Sequence, residues 1–120
     1  MSEPFSLLAR VRSFGYAFKG LATLVREQHN ARIHVAATLV VISAGLYVEV
    51  SRLDWMVLLL TVALVWLAEA MNTALEYLAD ATVPEQHPLV GKAKDVAAAG
   101  VLLCSGVAVL VAALVFIPYF

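Results

Sequence analysis

The chain has 120 residues, 62% of them hydrophobic and 14% charged, with eight Lys and Arg against nine Asp and Glu. A soluble domain of this length cannot hide that much apolar surface in one core, so lipid must be the solvent for part of it. A net charge of −1 gives no basis for nucleic-acid binding, and the single Cys104 excludes an internal disulfide.

The first segment, "FSLLARVRSFGYAFKGLATLVRE", places Leu7, Val11, Phe14, Phe18, Leu21 and Val25 at steps of three and four, with basic residues between them. This spacing predicts an amphipathic surface helix over about residues 5–27, its basic side turned towards lipid phosphates. Arg10, Arg12, Lys19 and Arg26 interrupt the segment, so no cleaved signal peptide is expected. Three apolar stretches follow and predict membrane spans over about residues 31–49, 53–81 and 92–118, against roughly 30 Å of hydrocarbon at about 1.5 Å per residue. Pro84 and Pro88 in "TVPEQHPLVGKAKD" predict a loop running into the third span, and Pro118 closes the last helix. Gly100, Cys104, Ala108 and Ala112 form a ridge of small residues on that span, suited to close helix packing. Trp55 reads as an interfacial residue and Trp66 as a packing residue. The fold class expected is an all-α membrane protein forming a single domain over residues 1–120.

Arg10, Arg12, Lys19, Arg26 and Arg32 precede the first span, Lys92 and Lys94 lie between the second and third, and only Arg52 lies between the first and second. The positive-inside rule then predicts a multi-pass protein of the cytoplasmic (inner) membrane, with the N-terminal helix and second loop in the cytoplasm.

The passage "AEAMNTALEYLAD" breaks the apolar pattern of the second span. Glu69, Asn72, Glu76 and Asp80 fall within roughly 80° of one another around a helix, at its cytoplasmic end. One reading is a solvated helix end. Their confinement to one narrow face, with no Lys or Arg among them, favours a site for a cation, and oxygen ligands on a rigid helix suit Mg²⁺. The loop "EQHPLVGKAKD" adds Glu85, Gln86, His87, Lys92, Lys94 and Asp95 on the same membrane side, where lysines at a helix N-terminus can hold phosphates. There is no GxxxxGK[ST] and no GxGxxG, which excludes a P-loop, a Rossmann site and a protein-kinase nucleotide site. An acidic stripe beside a basic loop makes a candidate phosphoryl-transfer site.

The segments "EAMNTALEYLAD", "GKAKDVAAAGV", "FGYAFKGL" and "NARIH" together resemble the small bacterial integral-membrane diacylglycerol kinase family, which includes undecaprenol kinases. The resemblance runs from about residue 10 into the third span. It implies a homotrimer with sites shared between subunits, and ATP-dependent phosphorylation of a membrane lipid hydroxyl in bacterial phospholipid metabolism. Carried over, it makes Glu69 the general base, with Asn72 ordering the phosphate and metal end of the site. Glu76 would bind Mg²⁺, and Tyr16 would contact the nucleotide. Glu85, Gln86 and His87 would meet the adenosine end of ATP, and Lys94 and Asp95 would hold phosphate and sugar. "RIH" and "KDVAA" resemble the undecaprenol-kinase branch somewhat more than the enterobacterial diacylglycerol-kinase branch; which lipid alcohol is the substrate stays open.

One departure from the family pattern stands out. A second metal-binding Glu is expected four residues before the Arg of "RIH", where this chain has Gln28, with Glu27 one place earlier. Either Gln28 supplies a neutral oxygen to the metal or Glu27 reaches across. His29 and His34 read as interfacial anchors or hydrogen-bonding groups rather than metal ligands, for want of a third converging ligand. The alternative function is a small cation- or proton-conducting subunit with Glu69 as a mid-pore acid, which calls for polar lining that Val62, Val65 and the first span do not offer.

Overall fold

The computed structural model describes residues 3–120 as four α-helices closed by a short 3₁₀ turn. Helix α1 spans Leu7–Glu27 and begins where the Ser6 hydroxyl accepts from the Ala9 N–H at 3.2 Å. It ends because Gln28 is extended (φ −113°, ψ 120°), which turns the chain directly into α2, His29–Val48. The open carbonyls at the end of α1 are met by Arg32 from α2. Its guanidinium donates to Val25 O at 3.0 Å and to Arg26 O, as a cation at a helix C-terminus should. The arginine of "RIH" therefore fixes the corner between the first two helices.

Helix α2 closes at Glu49, in the left-handed region at φ 55°. Helix α3, Arg52–Thr82, starts from Ser51, whose hydroxyl accepts from the Asp54 N–H at 3.1 Å. The 3₁₀ turn Ile117–Tyr119 comes back to the same corner. There the Tyr119 hydroxyl accepts from the Ser51 N–H at 3.1 Å and donates to Asp54 Oδ2 at 2.7 Å. Val50, Leu58 and Val115 form the apolar core at this end, with Trp55 and Val111 packed against it. A Cβ at Gly45 would lie 2.7 Å from Cη2 of Trp55. Since that rigid ring backs onto the core, Gly45→Ala is expected to destabilise the fold by roughly 1–3 kcal/mol, as overpacking does. Unfolding midpoints in detergent check this.

Helix α4 runs Pro88–Phe116, four residues earlier than a span starting near 92. Pro88 opens the helix rather than breaking it. Proline suits the first helical position because its missing N–H would have no partner there, and His87 Nδ1 caps the next N–H, that of Leu89, at 3.1 Å. Only residues 83–87 remain as loop.

Helix α3 is the axis of the fold, packed along α4 and against α2, while α1 packs on α2 and is tied to α3 through Glu27 and Tyr77. Inside the chain few apolar residues are buried; on α4, Leu102, Leu103, Val109, Leu110 and Leu114 all face outwards. The helices α2, α3 and α4 with its 3₁₀ turn are each long and apolar enough to cross a membrane. Hydrocarbon satisfies such an outer surface, while the backbone hydrogen bonds stay inside each helix. Of the small-residue ridge, Ala108 and Ala112 line an apolar cavity of 270 Å³ between α2, α3 and α4, whereas a Cβ at Gly100 would meet nothing.

Candidate active site

The buried face of α3 changes character along its length: Leu58 and Val65 are followed by Glu69, Asn72 and Thr73. Glu69 is 1% exposed, Asn72 8% and Thr73 3%. A solvated helix end does not describe this arrangement, because the carboxylate is enclosed by its own chain. Glu69 Oε2 faces His34 Nε2 of α2 at 3.4 Å. These two atoms, with Asn72 Oδ1, Thr73 Oγ1 and Ser105 Oγ, are the buried side-chain polar atoms without a hydrogen-bond partner among the described residues. Native structures leave few such groups, and those here come from α2, α3 and α4.

The acidic stripe then divides. Glu76 is half-buried and makes no side-chain hydrogen bond among the described residues. Asp80, at the exposed end, pairs with Lys94 Nζ of α4 at 2.7 Å. Sequence reading found no Lys or Arg within the stripe and put the basic loop on the same membrane side; the tight α3–α4 turn brings Lys94 of that segment onto Asp80, fourteen residues earlier in the chain. Such a solvent-exposed pair contributes little stability and is easily exchanged for another partner.

At the level of Glu76 the α1–α2 corner meets α3. Gln28 Nε2 donates to the Tyr77 hydroxyl at 3.3 Å, and that hydroxyl donates to Glu27 Oε1 at 2.7 Å. Tyr77, one residue beyond Glu76, thus ties both candidate ligands of the first corner to the acidic helix. Gln28 keeps its carbonyl oxygen free, so a neutral oxygen and the Glu76 carboxylate are the unengaged donors here. The described residues contain no group of three or more His, Cys, Asp or Glu set to hold a metal. A sparse all-oxygen donor set fits Mg²⁺, which retains waters and takes phosphate oxygens as further ligands. It suits Zn²⁺ less, whose sites draw most of their ligands from His and Cys.

An open cavity of about 500 Å³ lies over the α3–α4 turn, lined by Asp80, Glu85, Gln86, His87, Gly91 and Lys94 among others. Asp95 and Tyr16 do not line it; both are exposed, Tyr16 at 72%. The N-terminus of α4 offers fewer free N–H groups than the sequence suggests. Pro88 has none, that of Leu89 is capped by His87, and that of Gly91 bonds His87 O at 3.0 Å.

Sequence reasoning missed Thr73, Tyr77, Thr38 and Ser105, and read His34 as an anchor or hydrogen-bonding group without a partner. Thr73 was detectable, four residues from Glu69 on the same face; the others depend on how helices meet.

A sequence model of prokaryotic diacylglycerol kinases matches residues 15–116. The chain belongs to this family. Undecaprenol kinase of Bacillus subtilis (strain 168) is 33% identical over 107 residues, covering 89% of this chain and 87% of that protein. Diacylglycerol kinase of Escherichia coli (strain K12) is 31% identical over 100 residues, covering 83% of this chain and 82% of that one. Diacylglycerol kinase of Synechocystis sp. is 39% identical over 107 residues, or 88% of this chain, which spans only 61% of that longer protein. Within the prokaryotic diacylglycerol kinase family, then, the chain has relatives named for either lipid.

Proposed function

We propose that this membrane lipid kinase transfers the γ-phosphate of ATP to the hydroxyl of undecaprenol or diacylglycerol, with Glu69 as the base. The observation that carries the assignment is the enclosed Glu69 carboxylate, paired with no Lys or Arg among the described residues, on a helix long and apolar enough to cross a membrane. As the lipid oxygen attacks phosphorus, its proton passes to Glu69, the new O–P bond forms, and the bond from γ-phosphorus to the bridging oxygen breaks to release ADP. Phosphoryl transfer asks the protein mainly for positioning and electrostatics, so one base and a set of phosphate contacts suffice. Asn72 orders the phosphate end. Lys94 leaves Asp80 to meet phosphate, and Asp95 contacts sugar. Glu85, Gln86 and His87 meet the adenosine end, with Tyr16 on the nucleotide from α1. Glu76 and the Gln28 carbonyl would hold Mg²⁺, which offsets charge on the phosphates.

The same reading makes the protein a homotrimer in the bacterial inner membrane, with sites completed by a neighbouring subunit. Kinship with the prokaryotic diacylglycerol kinases supports it. The amphipathic helix α1 lies in the cytoplasmic interface, and the α3–α4 turn faces the cytoplasm, following the Lys and Arg distribution. In a Cys104→Ala background, Thr82→Cys is expected to react only with a cytoplasmic thiol reagent and Ser51→Cys only with an external one. Ser51→Cys reacting from the cytoplasmic side would reverse the topology.

The choice of lipid is tested by γ-phosphate transfer to undecaprenol, diacylglycerol and ceramide in a single detergent. Undecaprenol is expected to give the highest kcat/KM; a clear preference for ceramide would contradict the proposed substrate class.

A further inference from the structure

His34 has no part in the reaction as set out above, yet the fold gives it a fixed place. Resting on the reading of Glu69 as base, we propose that His34 is a positioning residue whose Nε2–H donates to Glu69 Oε2. It holds the carboxylate in one rotamer and leaves the other oxygen for the lipid hydroxyl.

Three observations converge on this. First, two of the orphaned buried atoms, His34 Nε2 and Glu69 Oε2, face each other at 3.4 Å. That separation is long for a hydrogen bond, but catalytic bonds commonly tighten when substrate arrives. Second, the ring is held from behind. Trp66 of α3 packs edge-on against the imidazole with centroids 6.0 Å apart and planes at 64°. Its Nε1–H donates to Thr38 Oγ1 at 3.0 Å, and the Thr38 hydroxyl donates to His34 O at 2.6 Å. The contacts run from the His34 ring to Trp66, on to Thr38, and back to the His34 backbone, so the indole that borders the imidazole is itself held in place. Third, nothing else supplies the bond. No Lys or Arg pairs with Glu69 among the described residues. From α3 the nearby orphans Asn72 Oδ1 and Thr73 Oγ1 remain unpaired, and α4 presents Ser105, which lines the 270 Å³ cavity with His34. A buried carboxylate is costly unless a donor faces it, and His34 is the side chain placed to do so.

The test uses the full chain in lipid nanodiscs, with kcat and KM measured for ATP and for the lipid alcohol. His34→Leu fills the space without a donor; loss of the restraint is expected to lower kcat by ~10- to 10²-fold, since a misplacement of about 1 Å suffices for the larger figure. KM for ATP should stay within about twofold, because uniform binding is untouched. His34→Gln, which keeps an N–H, should recover most of the loss, and Trp66→Phe should lower kcat in the same direction with His34 intact. In a Glu69→Gln background, His34→Leu should have no further effect, since residues acting as one unit are not additive. Parental kcat in His34→Leu, equal losses in His34→Leu and His34→Gln, or a full additional loss on top of Glu69→Gln would each overturn the proposal. Parental turnover in Glu69→Gln alone would instead overturn the reading of Glu69 as base.

Discussion

Glu69→Gln is expected to fold and bind ATP but to turn over roughly 10²- to 10⁴-fold more slowly, the usual contribution of a positioned general base. The replacement is nearly isosteric, and Glu69 is only 1% exposed, so its surroundings dictate what the amide does. Facing His34 Nε2 at 3.4 Å, the amide can still be hydrogen-bonded through its oxygen, which keeps the helix pair together while removing the proton acceptor. Turnover is measured at saturating ATP and lipid, and nucleotide affinity separately by calorimetry. Weakened ATP binding with unchanged turnover of bound nucleotide would place Glu69 in the nucleotide site instead.

The second large effect belongs to the metal. Glu76→Ala is expected to reduce activity by about 10³-fold or more, as losing several kcal/mol of transition-state charge stabilisation implies. No other carboxylate at that level is unengaged, because Glu27 accepts from Tyr77 and Asp80 is paired with Lys94. With a neutral Gln28, much of the cation's affinity must come from ATP phosphates. Gln28→Glu should therefore lower the Mg²⁺ concentration for half-maximal rate, even though it removes the N–H that now reaches the Tyr77 hydroxyl at 3.3 Å. Glu27→Ala should change the rate little. The Mg²⁺ dependence of the three variants at saturating ATP decides between the residues. Should Glu27→Ala prove as damaging as Glu76→Ala, the ligand sits at residue 27 and Gln28 serves only to hold Tyr77.

The helices and their long apolar character were legible because hydrophobic stretches of this length have few other solutions. The face of Glu69, Asn72 and Glu76 was legible from helical periodicity alone. What periodicity cannot show is what a face meets. His34 lies on α2 and Glu69 on α3, far apart in the chain, and only the packing of those two helices makes them neighbours. The same holds for Asp80 and Lys94, whose pairing depends on how tightly the α3–α4 turn closes. That closure follows from Pro88 entering the helix instead of ending it. Tyr77 reads as one more apolar residue in sequence, yet it joins Gln28 and Glu27 to the acidic helix. Where a residue's placement is set by its own helix, the sequence was enough. Where it is set by a contact between helices, the fold was needed.

The central claim is that Glu69 serves phosphoryl transfer to a lipid rather than ion passage. It is tested most directly in liposomes containing the purified protein, ATP labelled at the γ-phosphate, Mg²⁺ and a lipid alcohol. The account predicts that ADP release rises when the lipid alcohol is added, that the label is recovered one for one in lipid phosphate, and that both are suppressed together in Glu69→Gln. Proton or cation flux across the liposome without ATP, lost in Glu69→Gln while no label enters lipid, would contradict it.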